Sequence, residues 1–387
     1  MLGLLTWALA AAAGLPLLML AAECILGSNP RIKSPYVLPP PFTVLIPAHD
    51  EADGIAAVIR AVRAQLRPCD GVLVVADNCT DDTAAIAAAC GADVVERHDP
   101  KRRGKAYALA FGREVLRAQP TALVIVVDAD CVPTRGALPR LAAHAAGHGA
   151  TVQACYLLKV PADATPLVRL STFAFMIKNL VRQRGLQRLG GGALLQGTGM
   201  AFPWPVFDTA PLETASLVED LELGLELRLA GRPVRFDSGS VFTSSASGQS
   251  ATEGQRTRWE HGSIATARSY VPRLLRAGLL GRPALLVLAA DLSIPPLALL
   301  AGIDMAIWLA LGLLAVLTGN AAPLLVLTAI SAVAIAALAF TWLRLGRDVL
   351  PPAMAAYLPR YLLWKLPIYR RLAGDRQTLW VRTSRKP

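Results

Sequence analysis

The chain has 387 residues, 54% of them hydrophobic, and its 39 lysine and arginine side chains outnumber 28 aspartates and glutamates. The apolar excess is concentrated in residues 2–26, 283–317 and 321–343, each long enough to cross a hydrocarbon core, which takes about 20 residues. A wholly soluble protein is therefore not expected. A zinc or disulfide framework is not expected either, because the six cysteines show no CxxC pairing, and reduced thiols in cytosol fit best.

The net charge of +11 could serve nucleic acid, anionic lipid or a phosphorylated substrate. Much of the excess lies after residue 343, next to an apolar stretch, where basic side chains mark the cytoplasmic side and contact anionic headgroups. No basic-aromatic recognition motif accompanies it, so no nucleic-acid partner is expected. Membrane lipids are the expected partner of this tail.

The first apolar stretch, residues 2–26, is predicted to be an uncleaved membrane-spanning helix. A signal peptide is the alternative, but this stretch lacks a basic start, and Glu23 before Cys24 does not suit a cleavage site. Arg31 and Lys33 follow, which places the N-terminus outside and the next domain on the cytoplasmic side of the membrane.

Residues 36–254 alternate short β-branched runs with alanine-rich helical segments. Strands are predicted at 42–46, 72–76, 94–96 and 123–127, and helices at 55–66, 83–89, 106–118 and 138–146. This order predicts an α/β fold with a doubly wound, mainly parallel sheet. A dinucleotide-binding domain is disfavoured, because no GxGxxG follows the first strand.

Acidic side chains follow three of these strands. They are Asp50 and Glu51, then Asp77, then Asp128 and Asp130. Parallel strands would bring them to one rim of the sheet, where ligands bind in such folds. Asp128 and Asp130 can approach one cation because positions i and i+2 share a face, and Mg²⁺ and Mn²⁺ prefer such oxygen ligands. A solvated loop is the alternative for this pair.

Two other segments place charge at predicted helix starts. Lys105 ends a basic run, residues 101–105, before a helix, where an anion such as a diphosphate is favoured; a solvated charge run is the alternative. Residues 216–219 have the spacing of a capping box, so Glu219 can be purely structural. Asp220 lies in the first turn, where its ionised carboxylate could take a proton from an acceptor hydroxyl.

Helical spacing within residues 255–259 puts Gln255, Arg258 and Trp259 on one face. Arginine can bind phosphate oxygens in a bidentate fork, and an indole offers a flat surface to a sugar ring. The alternative is an interfacial amphipathic helix with tryptophan at headgroup level. A second basic and apolar segment, residues 167–189, is predicted to be such an interfacial helix.

The C-terminal apolar region is predicted to cross the membrane twice, with a turn at 318–323 outside. Residues 283–301 carry Asp291 and two prolines, and form either an interfacial helix or a separate crossing. Charge parity favours three spans in total. The predicted organisation is a membrane helix at 1–30, a cytoplasmic domain at 36–254, an interfacial region at 255–282, spans at 283–345 and a basic cytoplasmic tail at 346–387.

The motifs occur in a fixed order at 46–51, 74–82, 104–105, 128–130, 197–199, 219–220 and 255–259. Between about residues 43 and 262 the chain resembles the membrane-bound family 2 glycosyltransferases of the GT-A fold, such as synthases of cellulose, chitin, hyaluronan and poly-N-acetylglucosamine. The chain departs from this family at Ala76, where a second acid is common, and at Asp50, where asparagine is usual. It also has fewer spans than cellulose synthases, so single or processive transfer stays open.

The resemblance implies a role for each motif. Substrate binding falls to Asp50, Glu51, Asp77 (nucleoside), Lys105, Asp128, Thr198 (donor sugar and acceptor end), Gln255 and Arg258 (diphosphate), and Trp259 (acceptor sugar). Asp128 and Asp130 would hold Mg²⁺ or Mn²⁺ with the nucleotide, and Asp220 would be the catalytic base.

The function predicted from these residues is inverting transfer of a sugar from a UDP- or GDP-sugar to a polysaccharide or lipid-linked acceptor, at the cytoplasmic face of the inner (plasma) membrane. One alternative is a non-processive glycolipid synthase acting on a ceramide-like or polyprenyl acceptor. Another is a non-catalytic membrane subunit, which the presence of the whole acidic set disfavours. Partner subunits for polysaccharide synthesis or export are compatible with the sequence.

Overall fold

The computed structural model describes residues 2–30, 37–214, 216, 218–246 and 249–371, and of 249–256, 258 and 371 only the backbone. Arg31, Lys33 and the basic tail beyond residue 371 lie outside the described residues, so the predicted charge anchors of the membrane topology stay predictions.

Within the described residues, eight strands form one sheet in the order β3-β2-β1-β4-β7-β6-β8-β5. The strands are β1 Phe42–Ala48, β2 Gly71–Asp77, β3 Asp93–Arg97, β4 Leu123–Val126, β5 Val132–Pro133, β6 Thr151–Lys159, β7 Met200–Pro203 and β8 Val234–Ser245. The first four in this order run parallel. Strand β7 is antiparallel to both neighbours, β6 and β8 pair in parallel, and β5 is antiparallel to β8. The predicted α/β fold is confirmed, and the sheet is mixed beyond β4.

The helices cover both faces of the sheet and include long apolar helices near both ends of the described chain. They are α1 Leu2–Gly27, α2 Ile55–Arg63, α3 Thr83–Ala89, α4 Lys105–Leu116, α5 Ala137–His148, α6 Pro166–Met176, α7 Gln183–Arg188, α8 Trp204–Asp208, α9 Glu219–Leu229, α10 Gln249–Leu279, α11 Ala284–Leu292, α12 Leu297–Thr318, α13 Ala322–Thr341, α14 Pro352–Ala355 and α15 Leu358–Arg371, with π-helical turns at Ile177–Arg182 and Trp342–Gly346. The four helices predicted between the first strands correspond to α2, α3, α4 and α5.

Three helices in the described part of the chain are long and apolar enough to cross a membrane: Leu2–Gly27, Leu297–Thr318 and Ala322–Gly346. Helix α11 has only 9 residues, about 14 Å at 1.5 Å per residue, against a hydrocarbon core of about 30 Å. A break containing Pro295 and Pro296 separates it from α12. The stretch 283–301 is therefore not a separate crossing.

The segment predicted to be an interfacial helix, residues 167–189, is helical (α6, the π-helical turn and α7), and its position at a membrane surface stays a prediction. Arg182 and Arg184 are only 9% and 8% exposed, and the segment packs between the sheet and α1. Arg182 donates from Nε to Glu23 (3.0 Å) and from Nη2 to Asp291 (2.7 Å), which joins the π-helical turn to α1 and α11. Apolar and basic alternation cannot distinguish an arginine that faces headgroups from one that faces buried carboxylates.

Helices α1 and α7 are in backbone contact. A side-chain carbon added to Gly185 would lie 2.4 Å from Cα of Glu23, closer than any real side chain tolerates. The N-terminal helix is thus packed directly against the α/β domain rather than attached to it by a linker alone.

Candidate active site

A cavity of about 520 Å³ lies beyond the carboxyl ends of the parallel strands. Its lining contains nine of the charged and aromatic side chains that the sequence draws attention to: His49, Glu51, Asp77, Lys105, Asp128, Asp130, Glu219, Asp220 and Trp259. The cavity is thus lined by the ends of the parallel strands, the first residues of α4 and α9, and one face of α10. Glu51, Asp77 and Asp128 lie close together because they follow parallel strands that end at the same edge of the sheet.

Three of these charged groups surround Gly197. A side-chain carbon added there would lie 3.2 Å from Nζ of Lys105, 3.3 Å from Oδ2 of Asp220 and 3.6 Å from Oδ2 of Asp128. Gly197 has φ +91°, a conformation that favours glycine, and its carbonyl accepts a hydrogen bond from Lys105 at 2.6 Å. A glycine therefore lets the loop approach the charged groups without filling the space between them.

Lys105 donates to Asp128 as well as to the Gly197 carbonyl. Burial disfavours the charged amine, but the carboxylates of Asp128, Glu219 and Asp220 outweigh it and hold the pKa of Lys105 above its usual value. Lys105 therefore stays protonated at the centre of an acidic site. Its amine can exchange a carboxylate partner for a phosphate group when an anionic ligand binds.

Asp128 and Asp130 fit a divalent cation. Their carboxylate oxygens and Sγ of Cys131 lie within 4.8 Å of one another. Burial raises the pKa of the Cys131 thiol well above its ordinary value, and the thiol donates to Asp130 at 3.5 Å, so it is not suited to be a ligand. A carboxylate pair without a thiolate suits Mg²⁺ or Mn²⁺ better than zinc.

Glu219 and Asp220 are the first two residues of α9. The predicted capping box is wrong: Val218 is the N-cap without a side-chain hydrogen bond, and Oγ of Ser216 accepts from the Val218 amide. Burial, and then Asp220, raise the pKa of Glu219 to about 7. Burial also raises the pKa of Asp220, although Lys105 partly opposes it. Raised carboxyl pKa values near a pocket suit proton transfer.

Asp77 is held by a residue that the sequence did not single out. Arg97, the last residue of β3, donates to Oδ1 of Asp77 at 2.6 Å, and Asn78 donates to the same oxygen at 3.0 Å. Asp77 is 4% exposed. The sequence position of Arg97 could have indicated this role, because β3 ends at the same edge of the sheet as β1 and β2.

Asp50 is not part of the cavity lining; its carboxylate accepts from the backbone amide of Thr80 at 2.6 Å and so fixes the neighbouring loop. Glu51 does line the cavity. Thr198 is fully buried, and its hydroxyl accepts from the amide of Asp128 at 3.1 Å. Thr198 therefore positions the loop after β4 rather than reaching the cavity itself.

Trp259 is half-buried, lines the cavity and packs on Phe175, with ring centroids 5.7 Å apart. The side chains of Gln255 and Arg258 lie outside the described residues, so their predicted contact with a diphosphate stays a prediction.

Sequence reasoning also missed Gln196. Both side-chain amide atoms of Gln196 are buried, line the cavity and have no hydrogen-bond partner in the part of the chain that the structure describes. An unsatisfied buried amide is costly, so such a group next to Gly197 is suited to bind a ligand hydroxyl. A glutamine in a glycine-rich loop carries no sequence signal of this kind.

Residues 39–262, more than half of the chain, match the sequence profile described as glycosyltransferase like family 2. The chain belongs to this glycosyltransferase family. It is 32% identical over 195 residues to an uncharacterized glycosyltransferase from Mycobacterium bovis, which covers 50% of this chain and 76% of the relative. It is 38% identical over 104 residues, 26% of this chain and 24% of the relative, to the low-salt glycan biosynthesis hexosyltransferase Agl6 from Haloferax volcanii.

The fold also resembles a solved glycosyltransferase structure over nearly the whole chain. The mannosyltransferase PcManGT from Pyrobaculum calidifontis, in complex with GDP-Man and Mn²⁺, superposes with a TM-score of 0.56 at 18% identity, covering 97% of this chain and 100% of that one. The GT-A fold predicted for this family 2 enzyme is therefore confirmed.

Proposed function

We propose that this glycosyltransferase transfers a sugar with inversion from a nucleotide-diphospho-sugar to a polysaccharide or lipid-linked acceptor at a membrane. The observation that carries the proposal is the convergence of Lys105, Asp128 and Asp220 on the space beside Gly197. One positive charge, one metal-binding carboxylate and one candidate base then lie around the point where a glycosidic bond can form.

Each residue of the site has a separate role in the proposed transfer. Asp128 and Asp130 would hold a divalent cation, which would supply positive charge to neutralise the departing diphosphate. Lys105 adds a second positive charge on the diphosphate, and Asp77 with Arg97 binds the nucleoside side. Asp220 takes the proton from the acceptor hydroxyl. The hydroxyl oxygen bonds to the anomeric carbon as the bond from that carbon to the phosphate oxygen breaks.

The donor class is supported by the site and by the relatives. PcManGT is described with GDP-Man and Mn²⁺, and its fold covers nearly the whole of this chain. A UDP- or GDP-sugar with Mg²⁺ or Mn²⁺ is therefore the donor proposed here. Gln196 is proposed to bind a hydroxyl of the sugar, since its side-chain amide lines the cavity and has no hydrogen-bond partner among the described residues.

We place the enzyme in the inner (plasma) membrane with the catalytic domain in the cytoplasm. Three apolar helices of spanning length support the membrane location. The cytoplasmic orientation rests on the basic residues after the first and last apolar stretches and on the supply of sugar nucleotides in the cytoplasm. Product length separates a processive synthase from a single-transfer glycolipid synthase.

Purified membranes incubated with labelled UDP- and GDP-sugars and Mg²⁺ or Mn²⁺ test the proposal. Asp220→Asn is expected to lower transfer by roughly 10²- to 10⁴-fold, the usual contribution of a general base, while nucleotide binding survives. Asp53→Asn changes an exposed acid outside the cavity and should leave transfer intact. Full turnover in the Asp220 variant would remove Asp220 from the mechanism.

A further inference from the structure

The cavity that holds Asp128 and Asp220 continues past Trp259 toward the membrane-spanning helices. We call this part the membrane limb. Its lining consists of Ser263, Ile264, Ala267 and Arg268 of α10, residues 291–298 around the break before α12, and Tyr361 and Lys365 of α15. Nothing in the transfer reaction itself uses these residues.

One wall of the membrane limb is a stripe of α10. Trp259, Ser263 and Ala267 are four residues apart and so share a face of the helix. At 1.5 Å per residue, the stripe runs about 12 Å from Trp259 to Ala267. Because serine and alanine are small, they leave room beside the helix for a chain-like ligand.

The opposite wall of the membrane limb is formed by the break before α12 and by the start of that helix. It contains Ile294 and Leu297, and Leu297 is the first residue of a helix of spanning length. Helix α15 closes the limb with Tyr361, while its other side exposes Leu363 (65%) and Leu366 (46%). An amphipathic helix of this kind suits the bilayer surface, so the limb lies where α12 enters the bilayer.

Four cations line the cavity along this path, and two of them are committed to carboxylates. Arg182 pairs with Glu23 and Asp291, and Lys365 pairs with Glu260.

The other two cations, Lys178 and Arg268, also line the cavity. Lys178 is the exposed residue of an otherwise buried π-helical turn, and it acts electrostatically on Asp220. Arg268 is exposed and makes no ion pair within the described residues. Two such cations beside an apolar wall suit a phosphate ester attached to a hydrocarbon chain.

We infer that the acceptor is a lipid-linked sugar that carries a phosphate, bound in the membrane limb. Its hydrocarbon chain lies along Ile294 and Leu297, its phosphate contacts Lys178 and Arg268, and its sugar lies between Trp259 and Asp220. This inference rests on the proposed transfer: the sugar hydroxyl gives its proton to Asp220, its oxygen bonds to the donor anomeric carbon, and the nucleoside diphosphate leaves.

The test compares two acceptors with the same sugar in detergent-purified full-length enzyme. One is a polyprenyl diphosphate-linked monosaccharide, and the other is the matching octyl glycoside without phosphate. The wild type is expected to use the first at least tenfold better, measured as kcat/KM. Arg268→Gln should raise KM for it by about tenfold or more and leave the octyl glycoside unaffected, whereas Arg276→Gln, on the same helix but outside the cavity, should change neither.

A steric pair tests the apolar part. Ala267→Trp fills the membrane limb and should abolish use of the polyprenyl acceptor, whereas Ala265→Trp places the same ring at an exposed position outside the cavity. Equal use of both acceptors by wild type and by the Arg268 and Ala267 variants would overturn this inference alone, provided that donor binding and hydrolysis persist. Loss of donor binding by the wild type would overturn the proposed transfer as well.

Discussion

Lys105, the first residue of α4, donates a hydrogen bond from its amine to the carboxylate of Asp128, which follows β4. The lysine thus places a positive charge on the carboxylate that we propose as a metal ligand. The same amine also sits where a diphosphate is expected. Metal, lysine and donor are therefore linked through one carboxylate, and their binding should not be independent.

Lys105→Met is expected to separate these effects. Without the amine, Mn²⁺ alone should bind Asp128 more tightly, because no internal cation competes for the carboxylate. The donor should bind about tenfold to hundredfold more weakly, since a charge-assisted contact is lost. Calorimetric titration of Mn²⁺ and of a nucleotide sugar measures both. Lys101→Met, an exposed lysine of the same basic run, is the control, and a parallel loss of both affinities would contradict the competition.

The pH dependence of transfer should report on Asp220. Burial raises its pKa and the neighbouring lysines partly lower it, and the base works only when ionised. The rate is therefore expected to rise with pH through the pKa of Asp220 and then level. Lys178→Gln removes a positive charge that favours the carboxylate, so the rising limb should move to higher pH. Arg268→Gln should not move the limb, and an unshifted limb in both variants would exclude the influence of Lys178.

Gln196 gives a prediction with opposite signs for stability and function. Gln196→Met removes two buried amide atoms without a partner in the described residues, so the ligand-free protein should melt at a higher temperature, by the equivalent of about 1–3 kcal/mol. Sugar transfer should fall at the same time. Gln153→Met is the matched control, because the Gln153 amide donates to two carbonyls and accepts from the Gln196 backbone. A melting temperature lowered equally in both variants would contradict the prediction.

Helix α15 is expected to stabilise the position of α10, which contains Trp259. The buried amine of Lys365 donates to Glu260, the next residue after Trp259. Lys365→Met leaves Glu260 without this partner and should cost about 3–5 kcal/mol, with a lower transfer rate. The double variant Lys365→Met/Glu260→Gln removes both charges and should recover much of the melting temperature in detergent. A double variant no more stable than the single one would mean that the charge pair is not the cause.

The parallel half of the sheet was predictable, because β1, β2 and β4 are mainly apolar runs, rich in β-branched side chains and mostly buried. Strand β7 was not predictable: its four residues, Met200–Pro203, contain no β-branched side chain. Strand β8 carries polar residues that local pattern assigns to loops, such as Asp237. The burial of this aspartate is stabilised by Arg140, which donates to it at 2.9 and 3.0 Å across the fold, and by Ser240 and the backbone of Gly239, which also donate to it.

The same division applies to the site. The acids at strand tips could be placed from the strand pattern alone, since all parallel strands end at one rim. Arg97, Lys178 and Gln196 could not, because their roles depend on which carboxylate, cavity or loop lies opposite. The partners of Arg182 could not be predicted either, because Glu23 and Asp291 are far away in sequence.

The buried junction of Arg182 with Glu23 and Asp291 lies on the same π-helical turn that presents Lys178 to the cavity. The catalytic domain cannot tilt away from the first membrane helix without separating these charges, which would be costly. On the proposed membrane placement, Asp220 is consequently kept at a constant depth relative to the bilayer. If the proposed acceptor is anchored in that bilayer, only a headgroup of matching length brings its hydroxyl to Asp220.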